Sequence, residues 1–71
     1  MMYKRTYQFK DNKSVSVFIN KTKALIRSWS EPYNTITVWT KGKLTKSKWD
    51  KIALSLKGKG IDKWEECDKK G

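Results

Sequence analysis

The chain has no histidine, one cysteine, one proline and only seven acidic residues. Without histidine it lacks the commonest general acid–base group. With one cysteine and no histidine it cannot assemble a zinc site. Cys67 alone forms no internal disulfide, which excludes the disulfide-rich secreted scaffolds. No apolar run approaches the ~20 residues of a membrane span. The opening residues MMYKRTYQFK lack the apolar segment of a secretory signal, so the cytoplasm is the expected location. No phosphate-loop lysine motif, dinucleotide fingerprint or nucleophile elbow is present. The carboxylates (Asp11, Glu31, Asp50, Asp62, Glu65, Glu66 and Asp68) fall mostly in predicted turns and on helix surfaces. Neither a catalytic residue nor a cofactor or metal is expected, and the chain does not read as an enzyme.

Positive charge is abundant. Seventeen Lys and Arg against seven Asp and Glu give a formal net charge of +10 over 71 residues. The magnitude usual for a small soluble domain is ~2–8. Such an excess points to a polyanionic partner, nucleic acid first and an anionic membrane second. The plainer reading is a lysine preference that only keeps the protein soluble. The length allows one domain, residues 1–71. A domain of this size buries only about 60% of its unfolded surface, and oligomerisation is one remedy for so thin a core.

The hydrophobic pattern predicts strands followed by a helix. Tyr3 to Lys10 alternates, with Tyr3, Tyr7 and Phe9 on one face. Asp11-Asn12-Lys13 is a turn signal. Ser14 to Asn20 alternates again, Val15, Val17 and Ile19 inward and Phe18 outward, so the two runs form an expected hairpin. Ala24 to Ser30 reads as a third strand with Ile26 inward and Leu25, Arg27 and Trp29 outward. Glu31-Pro32-Tyr33-Asn34 is a turn in which Asn34 accepts a positive φ. Thr35 to Thr40, rich in β-branched residues, is a fourth strand with Ile36 and Val38 inward and Thr37 and Trp39 outward. Thr45 is a predicted N-cap, with Leu44 stapled to Trp49. Trp49, Ile52, Ala53 and Leu56 then form an apolar stripe at helical spacing, most simply a face covering the sheet. Gly58 is the expected stop. Gly58 to Gly60 is a flexible joint, and Ile61 to Asp68 is a short helix on the capping-box spacing of Asp62 and Glu65. The expected architecture is α+β, a four-stranded antiparallel meander followed by a C-terminal helix (ββββα), with a short terminal helix added.

This register places Phe18, Trp29 and Trp39 on an outer face with Lys4, Lys10 and Arg27. Aromatic rings stack unpaired bases, at roughly 1–3 kcal/mol per base, and cations neutralise phosphates with release of counterions. Duplexes hide their base faces, so such a platform favours single strands. The competing reading buries Trp29 and Trp39 under the helix or in a dimer interface, since Trp is usually well buried.

The run Trp29-Ser30-Glu31-Pro32-Tyr33-Asn34-Thr35-Ile36-Thr37-Val38-Trp39-Thr40, followed by Lys41-Gly42-Lys43-Leu44-Thr45 and Trp49, resembles the family of transcriptional positive cofactor four, especially its small bacterial members. The order of several weak motifs carries the likeness, over the middle and C-terminal half. The resemblance implies a ββββα protomer, a homodimer, and binding of single-stranded DNA with little sequence preference. It makes Trp39 the stacking residue and Lys41 and Lys43 the backbone contacts near the helix.

The resulting expectation is a single-stranded DNA-binding homodimer, with RNA as a further ligand, acting in replication, recombination, repair or transcription. Phe18, Trp29 and Trp39 stack bases; Lys4, Lys10, Arg27, Lys41 and Lys43 hold phosphates. The alternative is a small protein-interaction module, an inhibitor or accessory factor docking through the same face. A third reading sets the basic helix in a duplex groove, although that helix offers no Arg, Asn or Gln for base edges.

Overall fold

Alternation in the first strand fixes which side of the sheet carries the core. In the structure, a computed structural model describing residues 2–67, Tyr7 and Phe9 are buried. The elements run β1 (Met2–Gln8), α1 (Asn12–Thr22), β2 (Arg27–Ser30), a 3₁₀ turn (Glu31–Tyr33), β3 (Thr35–Thr40), α2 (Lys43–Ser55), β4 (Lys59–Gly60) and β5 (Glu65–Cys67). The strands lie in the order β2-β3-β1-β4, with β5 also on β1, and every pairing is antiparallel. β1 and β2 are therefore parallel to each other with β3 between them, a split β-α-β arrangement. This corrects the ββββα expectation and the fold implied by the family resemblance. A helix stands between the first two strands, and a fifth strand follows the second helix.

The correction centres on residues 12–22. Ser14 to Asn20 does alternate, but Val15, Phe18, Ile19 and Thr22 also recur at i, i+3, i+4 and i+7, the helical period. The Asp11 side chain caps the helix by accepting from the Ser14 backbone N–H at 2.8 Å. The Ser14 hydrogen bonds hold the Asp11 carboxyl below its ordinary value. Val15 and Phe18 are fully buried, so tertiary packing outweighs the weak helix propensity of Val15, Val17 and Ile19. Lys23 ends the helix in the left-handed region (φ 54°), its N–H donating to the Ile19 carbonyl at 2.8 Å.

Both helices pack on one face of the sheet. Tyr7 pairs across the sheet with Ile36, and Val38 with Arg5. Ile36 and Val38 are fully buried, as are Phe18 from α1 and, nearly so, Trp49 and Ala53 from α2. Aromatic rings run through this core as a connected series. Phe9 and Phe18 have centroids 5.2 Å apart, Phe18 and Tyr7 5.1 Å, Tyr7 and Trp64 6.3 Å, and Trp64 and Trp49 6.3 Å. Such pairs contribute about 0.5–1.5 kcal/mol each beyond their buried area. The stripe on α2 is as expected: Trp49 and Ala53 are core, with Ile52 and Leu56 packed against it.

Other local expectations change. Gly42, not Thr45, is the N-cap of α2, and Leu44 is exposed, so it staples nothing. The left-handed turn after α2 falls on Lys57 (φ 61°). The presumed joint contains β4. The presumed terminal helix is instead β5, whose Glu65 and Cys67 pair with Lys4 and Met2; Asp68 lies outside the described residues. The 31–34 turn does fall where expected, with Asn34 at φ 53°.

Gly58 is required by a close approach. It is buried, and a Cβ there would overlap the Phe9 ring. Gly58→Ala should therefore cost about 1–3 kcal/mol by overpacking, read as a lowered urea midpoint at unchanged slope. An unchanged midpoint would mean that Phe9 moves aside freely.

Candidate nucleic-acid interface

The uncovered face of the sheet is built from the alternate residues of each strand. Thr6 and Thr37 pair across it and share a hydroxyl hydrogen bond of 2.7 Å. Lys4 stands opposite Trp39, and Gln8 opposite Thr35. Ser28 and Ser30 extend the face onto β2. It is a hydroxyl-rich surface with one tryptophan at its end, not a continuous aromatic platform.

The expected site residues separate into three places. Phe18 lies on α1, fully buried beside Tyr7 and Phe9. It presents no ring to a base, and its outward assignment is corrected with the strand that contained it. Lys4, Arg27, Trp39, Lys41 and Lys43 lie at the end of the sheet where β3 ends and β2 begins, Lys4 and Trp39 on the uncovered face and Arg27 on the helix side. Lys10 lies at the opposite end, where its carbonyl accepts from the Asn34 side chain.

The two tryptophans differ sharply. Trp39 points to the uncovered side as expected, yet it is only 7% exposed. Its indole N–H meets no acceptor, an arrangement that costs about 1–3 kcal/mol for a buried donor. Trp29 pairs with Ile36 and so lies on the helix side of the edge strand, not with Trp39 as expected. It remains 40% exposed, and its N–H donates to the Asn12 side chain at 3.0 Å. Arg27, two residues earlier on the same face, is exposed and donates to the Ala24 carbonyl at 2.7 Å. Tyr33, not foreseen as a site residue, is 70% exposed on the turn after β2. Its exposure follows from the Pro32 turn, which the sequence did announce. Lys23, before β2, was likewise missed and is exposed.

The resulting track follows the outer edge of the sheet, from Lys23 through Arg27 and Trp29 to Tyr33. Hydrogen bonds fix its far end. Asn12 donates to the Glu31 carbonyl at 3.0 Å, and Phe9 N–H donates to the Asn34 carbonyl at 2.9 Å.

A second polar group sits across the molecule. Asp50 on α2 accepts from the Tyr7 hydroxyl, from Trp64 Nε1 at 3.1 Å and from Arg5 Nη1 at 2.9 Å. Arg5 also donates to the Asp62 carbonyl at 2.9 Å, while the Asp62 side chain accepts from Thr6 N–H at 2.8 Å. The cluster is closed upon itself and reads as a structural tie. Among the described residues no trio of metal-ligating side chains is grouped, and no helix is long and apolar enough to cross a membrane.

Comparison of the chain with family models, curated proteins and solved structures returned no match.

Burial, then the hydrogen bond and charge of Asp50, push the Tyr7 phenol well above its ordinary value of about 10, with Arg5 opposing. The folded chain thus keeps a proton that the unfolded chain releases. This contribution to stability is complete below about pH 10 and is lost as pH rises from there toward the folded value, by up to about 1.4 kcal/mol per pH unit. Urea melts across this range should show a steeper alkaline loss for the wild type than for Tyr7→Phe. Equal slopes would mean that Tyr7 titrates alike in both states.

Proposed function

We propose that the chain binds single-stranded nucleic acid, DNA first and RNA as a further ligand, along the β2 edge and the adjoining basic end of the sheet. The unbalanced charge carries this reading. The formal net charge is +10, and Arg5–Asp50 is the one ion pair among the described residues. Other described cations are left without a carboxylate partner, available to phosphates. Lys23, Arg27, Lys41 and Lys43 supply the phosphate contacts at one end of the track. Trp29 and Tyr33 supply the exposed rings on which unpaired bases stack. Phe18 and Trp39 have no stacking role in this reading, because both are buried.

The second reading is a protein-interaction module, and one observation favours it. β2 is a terminal strand with β3 on one side only. Its free edge can accept an extended peptide as an added strand. The arginine, the two serines and the short length of β2 blunt that edge against indiscriminate pairing.

Fluorescence anisotropy with a labelled single strand and its duplex, at low and moderate salt, separates these readings. The single strand should bind more tightly. Trp29→Ala and Tyr33→Ala should each weaken it by about 1–3 kcal/mol. Lys23→Gln and Lys41→Gln should each lower the salt slope by about 0.7. Equal affinity for strand and duplex, unmoved by Trp29→Ala, would reduce the site to a generic cationic surface. No binding at low salt would remove nucleic acid as the ligand.

A further inference from the structure

The exposed ring of Trp29 is tied at its edge. Its Nε1–H donates to the Asn12 side-chain oxygen at 3.0 Å, and the amide nitrogen of the same side chain donates to the Glu31 carbonyl at 3.0 Å. Both bonds lie at the surface, where water could serve each group in several side-chain rotamers. The contact with Asn12 selects one. It engages the N–H edge of the indole and not its faces, where bases stack.

Asn12 spends neither group on its own helix. It is the first residue of α1, and Asp11 already caps that helix by accepting from the Ser14 N–H at 2.8 Å. The Asn12 amide instead bridges two neighbouring elements. On one side it holds Trp29 of β2. On the other it holds Glu31, which opens the 3₁₀ turn that carries Tyr33. The far end of the turn is held to the same stretch of chain: Phe9 N–H donates to the Asn34 carbonyl at 2.9 Å, and the Asn34 side chain donates to the Lys10 carbonyl at 3.4 Å. Residues 9–12 thus hold the Trp29 ring and the backbone under Tyr33 together.

We propose that Asn12 is a positioning residue of the stacking site, holding the Trp29 ring in its base-receiving orientation before a strand arrives. The proposal rests on single-stranded nucleic acid binding along this edge. Stacking on a mobile ring carries the entropic cost of immobilising that side chain, and a ring already held carries less of it. Asn12 acts through Trp29 and makes no phosphate contact of its own.

Asn12→Ala removes both hydrogen bonds and leaves the Asp11 cap in place. In nitrogen-edited NMR spectra of the free protein, the Trp29 indole N–H should exchange faster with water in this variant. In fluorescence anisotropy with labelled oligothymidylate, affinity should fall about two- to tenfold, the effect of one side chain newly immobilised on binding. The salt slope should stay unchanged, because no phosphate contact is lost. In a Trp29→Ala background the same substitution should have no further effect, a non-additivity that a merely structural tie would not produce. Trp29→Phe keeps a ring and loses the N–H; it should also weaken binding, and it reports on the same bond if Asn12→Ala fails to fold. Unchanged affinity in folded Asn12→Ala or in Trp29→Phe, while Trp29→Ala still weakens binding, overturns the proposal and leaves the track standing. So does an equal loss from Asn12→Ala in the Trp29→Ala background. No binding by the wild type removes the track and the proposal together.

Discussion

The carboxylate of Asp50 is the point on which the helix layer and the sheet depend. It is the shared acceptor for a phenol and a guanidinium from β1 and an indole from the segment before β5. Each donor would be costly to bury alone. Collected on one acceptor, they align α2 over β1 and bring Trp64 between Tyr7 and Trp49. The same Arg5 reaches the Asp62 carbonyl, and Asp62 in turn holds the Thr6 amide. That amide falls where β4 and β5 change register: β1 residues 7 and 4 oppose residues 60 and 65. Two extra residues are thereby accommodated on the β4–β5 side, and the backbone donor freed by the shift is satisfied by a side chain.

This economy explains the electrostatic character of the surface. The chain has few acids, and three of them are engaged by the fold's own donors: Asp11, on the surface, caps α1, half-buried Asp50 accepts from Tyr7, Arg5 and Trp64, and Asp62 accepts at the register shift. One ion pair remains among the described residues, and its arginine is already half enclosed by structure. The lysine excess is therefore a property of the surface, not of the fold's internal bonding.

Several parts of this arrangement were legible in the sequence. The alternation of Tyr3, Tyr7 and Phe9, the inward Ile36 and Val38, the left-handed Asn34 and the α2 stripe are local signals. Helix α1 was obscured because Val15, Val17 and Ile19 satisfy a period of two while Val15, Phe18 and Ile19 satisfy the helical one. Asp11, placed to cap Ser14, was the discriminating residue and could equally be taken for a turn. The Asp62–Glu65 spacing misled for a different reason. Asp62 does accept from a backbone amide, but that amide belongs to Thr6, 56 positions away. At the candidate interface, the pleat gave the side to which Trp39 points. Its burial was not legible, because it depends on neighbours contributed by distant segments. Trp29 was misplaced by one face because β2 begins at Arg27 and pairs in the register Trp29–Ile36.

The position of β1 in the sheet has a consequence for how the molecule is made. β1, the earliest of the described strands in chain order, is an inner strand, flanked by β3 on one side and by β4 and β5 on the other. Its pairing with β3 joins Tyr3 to Thr40, and its pairing with β5 joins Met2 to Cys67. On the ribosome, β1 waits with both edges open until β3 has emerged, and one edge stays open until Glu65–Cys67 follows. Such long-range closure slows folding and exposes unpaired strand to other chains. Lys4 and Arg5 lie in the middle of that strand, and charged side chains there disfavour pairing with the open edge of another chain.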